Sequence, residues 1–272
     1  MTDKEPREPT IEDYENFRNL TVAERHVHYL RHRGLETPKL IDAFSEVERG
    51  DFIPFEQYEG IFLETGIGIG HGQTNSWPTI VVKMLEKLQP ELGEKILDVG
   101  SGSGWTTALL SHVVGETGKV IGVERIEDLV NYGRENIAKY RHTANAEIHH
   151  TQNSVGCPDD APYDKILVSA EAYSVPQELI EQLTEGGVIL IPIKLTQEDV
   201  RQYISYLITE TEEKSGEELP EEKKQKALEL MLENPGSKAI LYKKIDGKLV
   251  EIDVIPDLTF VPLVTEDDST DS

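Results

Sequence analysis

The chain has 272 residues, 38% of them hydrophobic, enough for a real core in one large domain with appendages or in two small ones. A formal net charge of −24 argues against a general nucleic-acid or anionic-membrane binder, although 27 Lys and Arg leave room for a local basic patch. The single cysteine, Cys157, excludes an internal disulfide framework and a cysteine-based zinc cluster, and reads as a packing residue or an exposed thiol rather than a nucleophile.

No run approaches the length of a membrane span; the most apolar stretch, "GVILIPIKL", is short and broken by Pro192. The opening "MTDKEPREPT" carries no signal-peptide core, so the expected location is the cytoplasm. Residues 11–33 predict a helix ending on Gly34, and Thr37-Pro38 predicts an N-cap with proline at the first helical position of "KLIDAFSEV". The glycine-rich "ETGIGIGHGQTNSWP" follows, then an amphipathic helix in "TIVVKMLEKL". From residue 95 the rhythm changes. "KILDVG", "KVIGVE", "AEIHH", "YDKILVSA" and "GVILIPI" read as short apolar strands, with helices in "WTTALLSHVV", "IEDLVNYGRENIAKY" and "PQELIEQL". This alternation predicts an α/β fold with a doubly wound, mainly parallel sheet covered on both faces. Beyond residue 195, "VRQYISYLIT" reads as a strand. The charged segment 211–236 reads as a helix at its centre with a Glu222–Lys226 pair, and "KAILYKKIDGKLVEIDV" as a hairpin turning at Asp246-Gly247. The tail "TEDDSTDS" is expected to be disordered.

"LDVGSGSGWTTALL" places a glycine-rich turn directly after a strand and before a helix. Gly100, Gly102 and Gly104 allow positive φ and close backbone approach to a ligand, with Ser101 inside the same turn. Glycine spacing alone is a weak signal, but two carboxylates sharpen it. Asp98 precedes the turn, where it can orient a ligand's charged amine. Glu124, followed by Arg125, ends the next strand, where a carboxylate accepts hydrogen bonds from both ribose hydroxyls. A nicotinamide dinucleotide is the competing ligand. An acid ahead of the first glycine, with no long substrate domain behind the fold, favours S-adenosylmethionine on a Rossmann-like sheet.

With those residues in view, the chain resembles the protein-L-isoaspartate O-methyltransferase family, whose members methylate isoaspartyl residues in damaged proteins. The resemblance runs over about residues 30–194 and returns at "IDVIPDLTFVPL". "RGLETPKLIDAFSEVERGDFIP" resembles the family's leading helices and "IGHGQTNSWP" its signature loop. "LDVGSGSGW" with "VERIEDLV" resembles its cofactor half, and "APYDKILVSA" the strand that follows. The resemblance implies a loop over both cofactor and substrate, with Thr74, Asn75 and Ser76 at the methyl-transfer point and Ser76 and Thr74 as the catalytic residues. A carboxylate is already nucleophilic at neutral pH, so the enzyme must mainly position it, and a hydroxyl donor at Ser76 suits that task. The same serine also fits an N-cap of the helix starting at Pro78. The implied organisation is N-terminal helices and a covering loop in 1–91, the S-adenosylmethionine-binding core in 92–194, C-terminal strands with a charged helical insertion in 195–264, and an acidic tail in 265–272.

The chain also departs from the family pattern. Trp77 replaces a small alanine, Thr79 stands where histidine is common at the cofactor, and Gln152 and Asn153 replace an aspartate and a glycine that would border the adenine. Gln152 can still hydrogen-bond an exocyclic amine. Glu171 enters a loop of small residues and Lys194 replaces a glycine. An unpaired Glu171 would repel a carboxylate substrate, whereas a Glu171–Lys194 pair would be structural. Asn75, Trp77 and Glu171 are accordingly expected at the substrate. His71 reads first as a packing or capping residue and second as a ligand or base. His149-His150 lacks carboxylate partners at ligand spacing, so no metal site is expected. The implied partner is a protein or peptide containing isoaspartate, with a monomer favoured. The alternatives are a methyltransferase for RNA or a small molecule, the acidic balance counting against RNA, and a non-catalytic S-adenosylmethionine-binding module.

Overall fold

Thr21 opens the first described helix by exchange: its Oγ1 accepts from the Glu24 amide at 3.2 Å, while its own amide donates to Glu24 Oε2 at 2.7 Å. This capping box satisfies amides that a helix start leaves unpaired, and α1 runs Val22–Arg31. The computed structural model describes residues 20–263, apart from residues 153, 234 and 259 and the side chains of 144 and 257. The expected helical start at residue 11 and the acidic tail 265–272 therefore lie outside the described residues. Pro38 begins α2 (Pro38–Glu46), with Thr37 as its N-cap residue. The Thr37 hydroxyl does not cap that helix; it donates to Glu86 on α3 (Pro78–Leu88), tying the two helices together. Between them lie a short antiparallel pair, β1 (Ile67–Gly70) and β2 (Gln73–Asn75).

The alternating segment forms as expected: β3 (Lys95–Val99), α4 (Trp105–Val114), β4 (Lys119–Glu124), α5 (Glu127–Ile137), β5 (Ala146–His150), β6 (Tyr163–Val168), α6 (Gln177–Gln182) and β7 (Leu183–Lys194). The main sheet has seven strands, in the order β5-β4-β3-β6-β7 and then two more described below. Pairings from β5 through β7 are all parallel. Consecutive strand residues point to opposite faces. Ile96 therefore joins a layer with Leu30, Phe44, Leu85 and Leu109, whereas Leu97 joins Ile121, Ile166 and Leu179 on the other side. Burial on both faces explains why these strands read as continuous apolar runs.

One expected strand is a helix. "VRQYISYLIT" lies within α7 (Gln197–Ser215), which a second capping box starts: the Asp199 amide donates to Thr196 Oγ1 at 3.1 Å and the Thr196 amide to Asp199 Oδ2 at 2.9 Å. The apolar residues Val200, Tyr203, Ile204, Leu207 and Ile208 recur at helical spacing, and Val200 and Ile204 are the buried ones. β-Branched and aromatic composition suggested a strand; the 3.6-residue period and the cap decide otherwise. α8 (Glu221–Glu233) completes a helical hairpin. Lys224 pairs there with Glu212 of α7 at 2.9 Å and with Glu218 at 3.7 Å, and no Glu222–Lys226 pair is found among the described residues. β8 (Ser237–Ile245) and β9 (Lys248–Leu258) then extend the sheet antiparallel to β7 and to each other. They turn at Asp246 and Gly247, with φ of 51° and 74°, as an Asp-Gly turn favours.

Candidate active site

The glycine turn lies beyond the carboxyl end of β3, where ligands bind in open α/β sheets. The amides of Gly100 and Ser101 both donate to the Val123 carbonyl, at 2.9 and 3.0 Å, so the turn is seated on β4. Gly104 has φ of 89°, and a Cβ there would come within 3.1 Å of the Gly133 carbonyl; only glycine lets α5 pack this closely. Glu124 ends β4 and is held by two amides: Gly102 donates to its Oε2 at 3.2 Å and Ile126 to its Oε1 at 3.0 Å. Thus the carboxylate is buried, oriented and still part of the pocket wall. Asp98 is fully buried and does not line the pocket. Its Oδ2 accepts from the hydroxyls of Thr106 and Thr107, both at 2.7 Å, which anchors the start of α4. Burial pushes its pKa up to about 6, against the lowering effect of those hydroxyls. Its Oδ1 and the Ser101 Oγ are buried without a hydrogen-bond partner among the described residues.

The β1–β2 hairpin covers this turn. Gln73, Thr74, Asn75 and Ser76 line the same pocket as Gly100, Ser101, Gly102 and Glu124, as do Arg125 and Gln152. Gln152 sits in the left-handed region at φ 45°, and Asn153 lies outside the described residues. The hairpin tip reaches α5, where His71 Nε2 is 3.1 Å from Asp128 Oδ2. Ile69 packs toward Gly102, where a Cβ would meet it at 3.1 Å.

What holds the hairpin root is a residue not singled out from sequence. Arg49 is 1% exposed, and its guanidinium donates to Asn75 Oδ1 at 2.8 Å and to the carbonyls of Ile61, Thr65 and Ser76 at 3.0, 3.0 and 2.9 Å. Burial lowers its pKa to about 10, so it stays cationic at neutral pH. Asn75 in turn donates from Nδ2 to Ser103 Oγ at 3.3 Å, so its amide ties the hairpin root to the glycine turn. No spacing rule marks Arg49, because its acceptors are mostly backbone carbonyls; the only signal was its place in "VERGDFIP", upstream of the loop. Val261, Pro262 and Leu263 also line the pocket, a wall visible in sequence only as the returning "IDVIPDLTFVPL".

Several expected residues stand elsewhere than anticipated. Ser76 does not cap α3: the N-cap position is Trp77, with no side-chain cap, and the Ser76 hydroxyl has no hydrogen bond among the described residues. Trp77 is 44% exposed and is not part of the pocket wall. The Thr74 side chain lies over Gly66, where a Cβ would come within 3.1 Å of its Oγ1. Thr79 donates to Glu64 at 2.6 Å. Glu171 is not brought into the pocket: its carboxylate is 3.6 Å from Lys194 Nζ, and its backbone pairs with Val261 and Leu263. The Glu171 side chain is only 11% exposed and is not part of the pocket wall.

The family model described as protein-L-isoaspartate(D-aspartate) O-methyltransferase matches residues 22–221. The chain belongs to this family. The protein-L-isoaspartate O-methyltransferase of Aeropyrum pernix is 41% identical over 188 residues, 69% of this chain and 72% of the relative. That of Methanopyrus kandleri is 37% identical over 183 residues, 67% of this chain and 80% of the relative. Among solved structures, a Plasmodium falciparum protein described as a protein-L-isoaspartate O-methyltransferase in complex with S-adenosyl-L-homocysteine is 24% identical. It superposes with a TM-score of 0.67, covering 90% of this chain and 99% of that one. At this identity the likeness concerns the fold, which is that of the S-adenosylmethionine-dependent methyltransferases. No helix among the described residues is long and apolar enough to cross a membrane.

Proposed function

We propose that this family member transfers a methyl group from S-adenosylmethionine to the carboxylate of isoaspartyl residues in proteins and peptides. One observation carries the reading: Glu124 and the glycine turn share a pocket wall with Ser76 of the covering loop. The turn suits the cofactor, because Ser101, in the pocket wall, carries a buried Oγ with no hydrogen-bond partner among the described residues. When bound, S-adenosylmethionine supplies an electrophilic methyl group on a sulfonium. Glu124, pre-oriented by two amides, would accept from the ribose hydroxyls, while Asp98, buried behind the pocket wall, would act on the ammonium only through its charge. Gln152 and Arg125, both in the pocket wall, would border the adenine end. The Ser76 hydroxyl would donate to the substrate carboxylate and position it for attack on the methyl group. Thr74, turned over Gly66, supports the hairpin, so Ser76 is the hydroxyl we assign to the reaction. On this reading the partner is an isoaspartyl protein or peptide, the working unit a monomer and the site of action the cytoplasm.

The deciding experiment is methyl incorporation into an isoaspartyl peptide and its normal aspartyl twin. Incorporation into the first alone is expected. Equal labelling of both would overturn the substrate, and cofactor binding with no transfer would leave only a binding module.

Two further results follow from the geometry. Glu124→Ala is expected to weaken cofactor binding by about 1–3 kcal/mol, through loss of charge-assisted hydrogen bonds to the ribose. Calorimetry on folded wild type and mutant checks it, and equal affinities would sink the ribose assignment. Glu171→Gln, by contrast, is expected to change kcat/KM on neutral isoaspartyl peptides by less than about fivefold, because its carboxylate faces Lys194 and is not part of the pocket wall. A large rise on that substitution would put the Glu171 carboxylate at the substrate after all.

A further inference from the structure

Away from the pocket, three side chains with different donor atoms converge. A ring nitrogen of His149, the Cys157 sulfur and a carboxylate oxygen of Asp160 all lie within 4.8 Å of one another, each half-buried. His149 comes from the edge strand β5, while Cys157 and Asp160 bracket the short turn Pro158–Asp160. The expectation that His149 lacks a carboxylate partner is also corrected: Glu147, two residues along the same strand face, has its Oε2 3.0 Å from His149 Nε2.

We propose that His149, Cys157 and Asp160 form a binding site for a thiophilic divalent cation of the zinc type. The donor set decides the class. Thiolate, imidazole and one carboxylate are zinc ligands, whereas calcium and magnesium take six or more oxygens. The spacing also fits. Cys157 Sγ and Asp160 Oδ2 are 3.8 Å apart. Bonds of about 2.3 Å to sulfur and about 2.0 Å to oxygen subtend roughly 3.5 Å at a tetrahedral centre.

Because Glu147 holds His149 Nε2, the proposed site takes the ring through Nδ1, and a carboxylate on the other nitrogen is a common support of a metal-binding histidine. Lys119 does not block the site. Its Nζ contacts the other oxygen of Asp160, Oδ1, at 2.9 Å and Glu147 Oε1 at 3.5 Å. It balances charge while leaving Oδ2 facing the thiol. Three protein donors leave a fourth position to water. On binding, the Cys157 thiol gives its proton to solvent, a metal–sulfur bond forms, and no electrons are transferred. The two ligands His149 and Cys157 flank residues 150–156, of which Thr151, Gln152 and Gly156 line the cofactor pocket. A bound cation would therefore staple both ends of that wall.

The test uses the full chain stripped of metal by a chelator. Cobalt(II) is titrated as a spectroscopic probe, and zinc competes against a chromophoric chelator. One equivalent of cobalt is expected to produce a near-ultraviolet sulfur-to-metal charge-transfer band that zinc abolishes. The chain holds a single cysteine, so this band has only one source. Cys157→Ser is expected to remove the band, and Cys157→Ser and His149→Ala should each lower zinc affinity by about tenfold or more. Circular dichroism confirms that both variants fold. Cobalt binding without the band, or zinc affinity unchanged in both variants, overturns the proposal; the ions would then sit on the acidic surface.

Discussion

Arg49→Ala is expected to destabilise the protein by about 3–5 kcal/mol and to free the hairpin that covers the pocket. The guanidinium is buried and bridges the Asn75 side chain to carbonyls of three separate loop positions. Truncation leaves the two buried acceptors among them, Asn75 Oδ1 and the Ile61 carbonyl, without the guanidinium, which costs more than the bonds themselves contribute. Arg49→Lys is not expected to rescue it, since one ammonium cannot reproduce a planar fork with five donors. The measurements are urea midpoints and S-adenosyl-L-homocysteine affinity for all three proteins. A wild-type midpoint for Arg49→Ala would show that the loop does not depend on this staple.

Ser76→Ala is expected to lower kcat by about 10–1000-fold with cofactor affinity nearly unchanged, because it removes a donor that acts on the reacting carboxylate. The structure sharpens the test. A helix cap lost to alanine would cost about 1 kcal/mol of stability, but Ser76 is not the cap of α3. Thermal midpoints should therefore match while turnover falls. A mutant that keeps wild-type turnover removes Ser76 from the mechanism. One that melts several degrees earlier and keeps its specific activity assigns it to the loop.

Much of the core was legible because it rests on local rules. β3 through β7 announced themselves as apolar runs bounded by turns, and the glycine turn with Glu124 declared a ligand at the sheet's carboxyl edge. What escaped depends on contacts far apart in sequence. Arg49 reaches acceptors 12 to 27 residues away, most of them carbonyls, which every sequence has. The Glu171–Lys194 contact closes over a loop and a strand, so sequence could state it only as an alternative. α7 departs from the expected strand for a different reason: its β-branched and aromatic composition favours a strand, while its apolar residues from Val200 to Ile208 recur at helical spacing, and the period prevails. His149, Cys157 and Asp160 match no familiar ligand motif, because strand and turn supply them separately.

Asn75 joins two parts of the pocket wall. Its side chain receives the Arg49 guanidinium on one atom and donates to Ser103, in the glycine turn, with the other. On the proposed reading, a single amide therefore links the root of the substrate-covering hairpin to the glycine turn of the cofactor site. If the link couples the two, whatever factor the cofactor contributes to peptide affinity the peptide returns to cofactor affinity, since the coupling free energy is one quantity read from two ends.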